Sequence, residues 1–199
     1  MAHIKFTKNE LKKQNDALKR FQRYLPTLQL KKQQLQMVIR TVENLERQKR
    51  EAKETLQREM DVWIEVFGEK IDLTEQVKIE QIETETGNIA GVDIPVFRSI
   101  RFERIPYNLF LYPLWVDAGI EILQKLIAFD TEIEILQKQI ELLGQELRVT
   151  TQRVNLFEKV KIPETKENIR VIRIYLGDQQ TAAVVRGKIA KNKIVAEKV

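Results

Sequence analysis

The chain has 199 residues and a net charge of +5, with 34 Lys and Arg, 29 Asp and Glu, 7 Gly, 5 Pro and no Cys. The lack of Cys excludes disulfides and thiolate metal sites and fits a reducing compartment. Scarce Gly and Pro with dense Lys, Glu, Gln and Leu point to long helices.

The segment Met1 to Leu11 is polar and basic, with no apolar run behind it, so no secretory signal is read there. Thr7 with Glu10 three residues on has the capping-box spacing, which predicts a helix from Thr7 to about Phe67, where Gly68 can end it. A seven-residue ladder runs Phe21, Leu28, Leu35, Val42, Lys49, Leu56, Trp63. A second ladder beside it, through Leu11, Leu18, Leu25, Ile39, Met60 and Phe67, is broken by Lys32, Glu46 and Lys53. Such a pattern reads as a coiled-coil strand with polar interruptions. Polar seam residues either snorkel out of a loosely paired coil, or fix its register or form a contact with another subunit, and the first reading is preferred.

Over 69–115 the 3.5-residue period stops. Val77 to Ile82 and Val92 to Phe97 alternate, and Gly87 and Gly91 flank Asn88, which reads as a short strand pair with a turn between. Pro106 and Pro113 then lead into a second long helix, from about Trp115 to near the C-terminus. Its seam keeps heptad time over eleven positions: Ile122, Leu126, Phe129, Ile133, Leu136, Ile140, Leu143, Leu147, Thr150, Val154 and Phe157. Ten of these are apolar, and an average step of 3.5 residues is that of a left-handed supercoil. Pro163 lies inside this helix, where a proline removes a hydrogen bond and kinks the rod. Beyond it the apolar pattern resumes at Ile169, Ile172 and Leu176, one residue out of phase.

The economical architecture is mainly α: a long, bent, antiparallel coiled-coil helical hairpin with a small middle segment containing a short β-hairpin. Its divisions are residues 1–68, 69–115 and 116–199, forming one structural unit. About 60 residues per helix give a rod of roughly 90 Å. If Phe67 faces Ala118, facing residue numbers sum to about 185. Lys5 then lies near Gln180, residues 181–199 overhang as a single helix, and Pro26 and Pro163 fall within about a turn of the same level. Charge is segregated. Residues 1–60 carry 15 Lys and Arg against 7 Asp and Glu, and 161–199 carry 9 against 4, whereas 61–119 carry 5 against 11. Folding back gathers the basic ends at one tip, which is drawn to acidic surfaces.

No catalytic constellation is apparent. His3 is the only His and lies at a fraying terminus, and none of the seven Gly forms a GxxxxGK or GxGxxG loop. The pairs Glu83/Glu85 and Glu132/Glu134 read as solvated faces, since no His or Cys accompanies them. Nucleic-acid binding is disfavoured because the basic segment 184–199 contains no aromatics. The most apolar stretch, Leu109 to Gly119, is too short to cross a membrane and contains Pro113 and Asp117. The sequence points to no enzyme activity and no cofactor.

The stretch Asn88-Ile-Ala-Gly-Val-Asp-Ile-Pro-Val-Phe97 resembles the central signature of the D subunits of V-type and archaeal-type rotary ATPases. Thr151-Gln-Arg-Val-Asn-Leu-Phe-Glu-Lys-Val-Lys-Ile-Pro163 is similar to that family's second hallmark, continued by Ile169-Arg-Val-Ile-Arg-Ile-Tyr-Leu176. Residues Thr7, Glu10, Leu11, Leu18, Arg23, Lys31 and Leu35 match the family's first helix. The chain departs from the family at Arg23-Tyr-Leu-Pro26 and at Gln152.

The resemblance implies a non-catalytic central-stalk rotor, coupling ATP hydrolysis or synthesis to rotation and H⁺ or Na⁺ transport. Its paired termini would sit in a ring of alternating catalytic A and nucleotide-binding B subunits. The small F subunit would clamp its side, and the cap end would meet the membrane-proximal C/d coupling subunit. The protein would be cytoplasmic and peripheral to the membrane, without insertion into it. Partner-contact candidates are Asn88, Gly91, Pro95, Arg153, Asn155, Arg170, Arg173, Lys188 and Lys191. The alternative is a coiled-coil scaffold or adaptor, self-dimerising through the 122–157 seam. The γ shaft of an F-type enzyme is discounted because 69–115 is too small for an α/β domain.

Overall fold

The computed structural model describes residues 4–67, 77–104, 113 and 115–196. In chain order these form helix α1 (Lys8–Phe67), strands β1 (Val77–Ile89) and β2 (Val92–Arg104), helix α2 (Val116–Asn155), a π-helical turn (Leu156–Lys161) and helix α3 (Ile162–Ala196). The mainly α hairpin with a two-stranded antiparallel sheet in its middle is therefore the observed fold. The expected helix end at Gly68 and the lead-in at Pro106 lie outside the described residues. Two compact units are present: Gln33–Arg148, and Met1–Lys32 together with Val149–Val199.

Helix α1 starts where the sequence signals it. The Glu10 N–H donates to Thr7 Oγ1 at 3.2 Å and the Leu11 N–H to the Thr7 carbonyl at 3.0 Å. The other half of the capping box does not form: the Thr7 N–H goes to the Lys5 carbonyl, and Glu10 accepts from Gln14 instead. Along α1, every position spaced four and three from Leu11 to Met60 is buried or half-buried. The two ladders thus form one continuous seam, with Lys32, Glu46, Lys49 and Lys53 inside it. All eleven positions of the seam from Ile122 to Phe157 are likewise buried or half-buried.

In the unit Gln33–Arg148, the core is Leu35, Val42, Ile94, Leu136 and Leu143, drawn from α1, β2 and α2. The strands are 13 residues each, longer than the sequence suggests, and pair antiparallel from Val77↔Arg104 to Ile89↔Val92 with two register shifts. A 13-residue strand spans about 43 Å. The stretch of α1 from Val42 to Phe67 spans about 38 Å. The ribbon is therefore long enough to bring its tip back onto the helix pair, where Ile89, Ala90, Val92 and Val96 pack against the core. This explains why α2 buries Gln139, which lies off the heptad seam: it faces the ribbon, and its Nε2 donates to the Pro95 carbonyl at 2.5 Å.

Three of the four polar seam residues of α1, Glu46, Lys49 and Lys53, meet partners on α2 instead of snorkelling, contrary to the preferred sequence reading. Lys49 Nζ lies 2.9 Å from Glu132 and 5.9 Å above the Phe129 ring, and Lys53 Nζ lies 2.5 Å from Asp130. Gln137 Nε2 donates to Glu46 at 3.2 Å. The facing numbers sum to 181–183, a shift of two to four residues from the expected 185.

In the other unit the register is set by rings. Phe21 stacks on Phe157 with centroids 5.3 Å apart, and Phe6 meets Tyr175 at 5.0 Å. Those numbers sum to 178 and 181. Two expectations are corrected by this. Lys5, next to Phe6, lies level with about Leu176 rather than Gln180, and α3 is nearly all exposed from Gly177 onward. Pro26 and Pro163, whose numbers sum to 189, are about nine residues out of register, or roughly two and a half turns.

The phase slip also has a definite cause. Strict 3.5-residue spacing beyond Phe157 would place Lys161, Glu164, Asn168 and Val171 on the seam. The chain instead buries Thr165, Ile169 and Ile172, each one residue later. One extra residue must be accommodated, and the π turn holds it: the Ile162 N–H donates five residues back, to the Phe157 carbonyl. Burying Thr165, Ile169 and Ile172 rather than Glu164, Asn168 and Val171 is the driving force.

Candidate partner-contact surfaces

The candidates fall into two groups, one in each unit. Asn88, Gly91 and Pro95 come together at the ribbon tip. The chain reverses over Ala90 and Gly91, whose φ angles are +53° and +78°. Positive φ at both central residues is the type I′ requirement, which suits the twist of a hairpin. Asn88 serves that turn: its Oδ1 accepts from the Gly91 N–H at 3.2 Å, and its Nδ2 donates to Asp93 at 2.6 Å. Gly87 allows the close approach beside it, since a Cβ there would meet Val96 Cγ2 at 2.9 Å. Pro95 offers its carbonyl to Gln139 and is half-buried.

Below the tip, most of the ribbon stands exposed. The two carboxylates read as a solvated face are paired across the strands: Glu83 with Arg101 at 2.6 Å and with Ser99 Oγ at 2.7 Å, and Glu85 with Arg98. These pairs neutralise Glu83 and Glu85, and residues 77–104 as a whole carry 4 Lys and Arg against 5 Asp and Glu.

The remaining candidates lie in the unit built from both chain ends. Arg153 and Asn155 are exposed at the end of α2, just before the π turn. Arg170 is fixed by a two-point contact to Glu167, with Nε and Nη2 at 2.9 and 2.6 Å. The guanidinium hydrogen bond holds the Glu167 carboxyl below the ordinary glutamate range. An open groove between α1 and α3 is lined by Asn15, Leu18, Lys166, Ile169, Arg170, Arg173 and Ile174. The structure thus brings Arg170 and Arg173 to one groove and leaves Arg153 and Asn155 apart from it. Lys188 and Lys191 are exposed on the unpaired end of α3.

Two residues that serve these surfaces were not singled out from the sequence. Gln139 looks like an ordinary solvent-facing residue in a heptad. Lys166 stands three residues past Pro163, where the slip obscures which face is which. Among the described residues, no group of three His, Cys, Asp or Glu could hold a metal, and no helix is long and apolar enough to cross a membrane.

Electrostatically the units differ sharply. The unit of residues 1–32 and 149–199 carries 20 Lys and Arg against 7 Asp and Glu, a net +13. The unit 33–148 carries 14 against 22, a net −8. Residues 179–196 contain Arg186, Lys188, Lys191 and Lys193 and no acidic residue.

Residues 10–192 match the model of the ATP synthase D-subunit family. The chain is 54% identical to the V-type ATP synthase D subunit of Borreliella burgdorferi over 195 residues, covering 98% of this chain and 96% of that one. It is 34% identical to the protein of the same name from Chlamydia muridarum, over 99% of this chain and 98% of the other. The corresponding protein of Chlamydia caviae is 32% identical, with 99% and 96% covered.

Proposed function

The chain belongs to the ATP synthase D-subunit family, and from that premise we propose that it is the central-stalk rotor of a V-type ATPase. It is a non-catalytic subunit. In this reading it turns inside a ring of alternating A and B subunits, is held at its side by the F subunit, and rests on the membrane-proximal C/d coupling subunit. Rotation then couples ATP hydrolysis or synthesis in the ring to H⁺ or Na⁺ transport. The protein is cytoplasmic and peripheral to the membrane through that complex.

The observation that carries the reading is the charged, unpaired end of α3. Its side chains are almost all exposed, and its cations face no acidic neighbour within residues 179–196. A helix with apolar and cationic residues on every side suits a sleeve that surrounds it, held by diffuse attraction to acidic residues and free to turn. Binding of the purified chain to the A–B ring tests this. Affinity is expected to fall steeply as salt rises, because contacts beyond a Debye length of about 8–10 Å are screened. Salt-independent affinity contradicts the diffuse contact, and failure to bind either the ring or the F subunit at low salt contradicts the rotor reading.

The scaffold alternative loses support from the seam itself. Its eleven positions are already buried or half-buried within one chain, so a second copy finds no open apolar stripe along that seam. Sedimentation of the free chain is expected to show a monomer.

A further inference from the structure

The π turn is a costly feature. A helix required only to be stiff would do without its extra residue, because deleting one residue between Leu156 and Lys161 restores an unbroken 3.5-residue seam from Ile122 to Leu176. The turn is also poorly secured. None of its residues is buried, and Leu156 and Val160 are 44% and 48% exposed. Phe157 stacks on Phe21, and of the other five residues only Lys161 is half-buried, the rest being exposed. Pro163 follows at once and has no N–H, so it gives nothing to the carbonyl of either Lys159 or Glu158. On the C-terminal side Thr165 Oγ1 donates to the Lys161 carbonyl at 2.6 Å, which closes the turn there. The wide turn is therefore held in place by Pro163 and Thr165, and weak in its own hydrogen bonds.

We propose that Leu156–Lys161 is a torsional joint: the place where Ile162–Ala196 twists relative to Val149–Asn155 when load is put across the helix. The proposal rests on the rotor reading, because only a driven shaft loads the helix in this way. None of the turn's own residues is buried, so loosening there breaks no core contact of the turn itself, while Val154 before it and Ile169 and Ile172 after it are the buried side chains whose packing limits the twist. Twisting in α2 between Leu136 and Leu143 would instead disturb fully packed side chains.

The test deletes Val160 from the full-length chain. In the free protein, hydrogen exchange of the wild-type amides over 158–164 is expected to be at least about tenfold faster than over 136–147. The deletion should abolish that contrast without lowering the melting midpoint. Assembled with the A–B ring, the variant should bind as the wild type does yet hydrolyse ATP several-fold more slowly. Equal protection of the two segments in the wild type overturns the joint, and so does undiminished hydrolysis by the deletion variant. Should the deletion misfold, Pro163→Ala carries the test. It restores one donor while keeping the residue count, so protection over 158–164 must rise and hydrolysis must slow, and no change in either overturns the proposal. Failure of the wild-type chain to bind the ring strikes the rotor reading instead, and is recognised because the exchange contrast in the free chain persists.

Discussion

Replacing Ile94 by Ala tests whether the ribbon tip is a working part of the core. Ile94 is 2% exposed and packs with Leu35, Val42, Leu136 and Leu143. The change deletes three buried carbons, which at about 0.8 kcal/mol each is roughly 2.4 kcal/mol of transfer free energy. A residual cavity raises the loss to about 3 kcal/mol, within the ordinary range for such truncations. The loss should weaken ribbon docking more than helix pairing, because the seams from Leu11 to Met60 and from Ile122 to Phe157 keep their own partners. Amide exchange over residues 89–96 should therefore accelerate by about two orders of magnitude, while exchange in α1 and α2 changes less. Thermal melting gives a second measure, and Ile79→Ala is the control, since Ile79 lies on the same ribbon but is 46% exposed. That variant should remain within about 0.5 kcal/mol of wild type. If the two substitutions prove equivalent, the tip is not anchored as described.

Gly91→Ala meets no neighbouring atom but must adopt a φ of +78°, so it should destabilise the ribbon by about 1–2 kcal/mol through backbone strain alone, measured by exchange at residues 89–92. Lys49→Glu sets two carboxylates against each other and should cost about 1 kcal/mol by chemical denaturation; Glu132→Lys in the same chain should restore most of it, and about 1 M salt should shrink the difference. The carboxyls of Glu46 and Glu167 are held low, by the hydrogen bond from Arg50 and from Arg170 respectively. Their contribution is present above about pH 4.3, the unfolded glutamate value, and is lost as pH falls through the lowered folded-state values. Melting from pH 7 down to pH 2 should show a stability decline that Arg50→Ala and Arg170→Ala together make shallower.

Much of this structure is legible in the sequence because heptad spacing is a local, additive signal. The seams are read correctly at every position from Leu11 to Met60 and from Ile122 to Phe157, and so is the capping role of Thr7. The one-residue slip is visible too, but its cause is not. Proline draws the eye, whereas the slip is absorbed upstream of it by a turn whose residues look like any helical sequence. Long-range register is the weakest inference: nothing local encodes that Lys49 meets Glu132 or that Phe21 meets Phe157, so counting back from an assumed turn misses by several residues. The ribbon is underestimated because the alternation in β1 stops at Ile82, and Glu83 to Asn88 carry no apolar side chain to mark the rest of its length. The role of Gln139 is illegible for a related reason, since its partner is a backbone carbonyl 44 residues away.

The unpaired end of α3 is not self-sufficient as a helix. A lone helix of about 20 residues is marginal in water even with favourable composition, and Gly187 within it costs about 1 kcal/mol relative to alanine. Because nearly all described residues of α3 from Gly177 onward are exposed, these turns gain almost nothing from tertiary packing. In the rotor reading proposed above, the enclosing ring completes their helical order, so part of that interaction goes into ordering before any affinity is realised. A tip held in that way would grip weakly for the area it covers, as a part that must be retained without being locked requires.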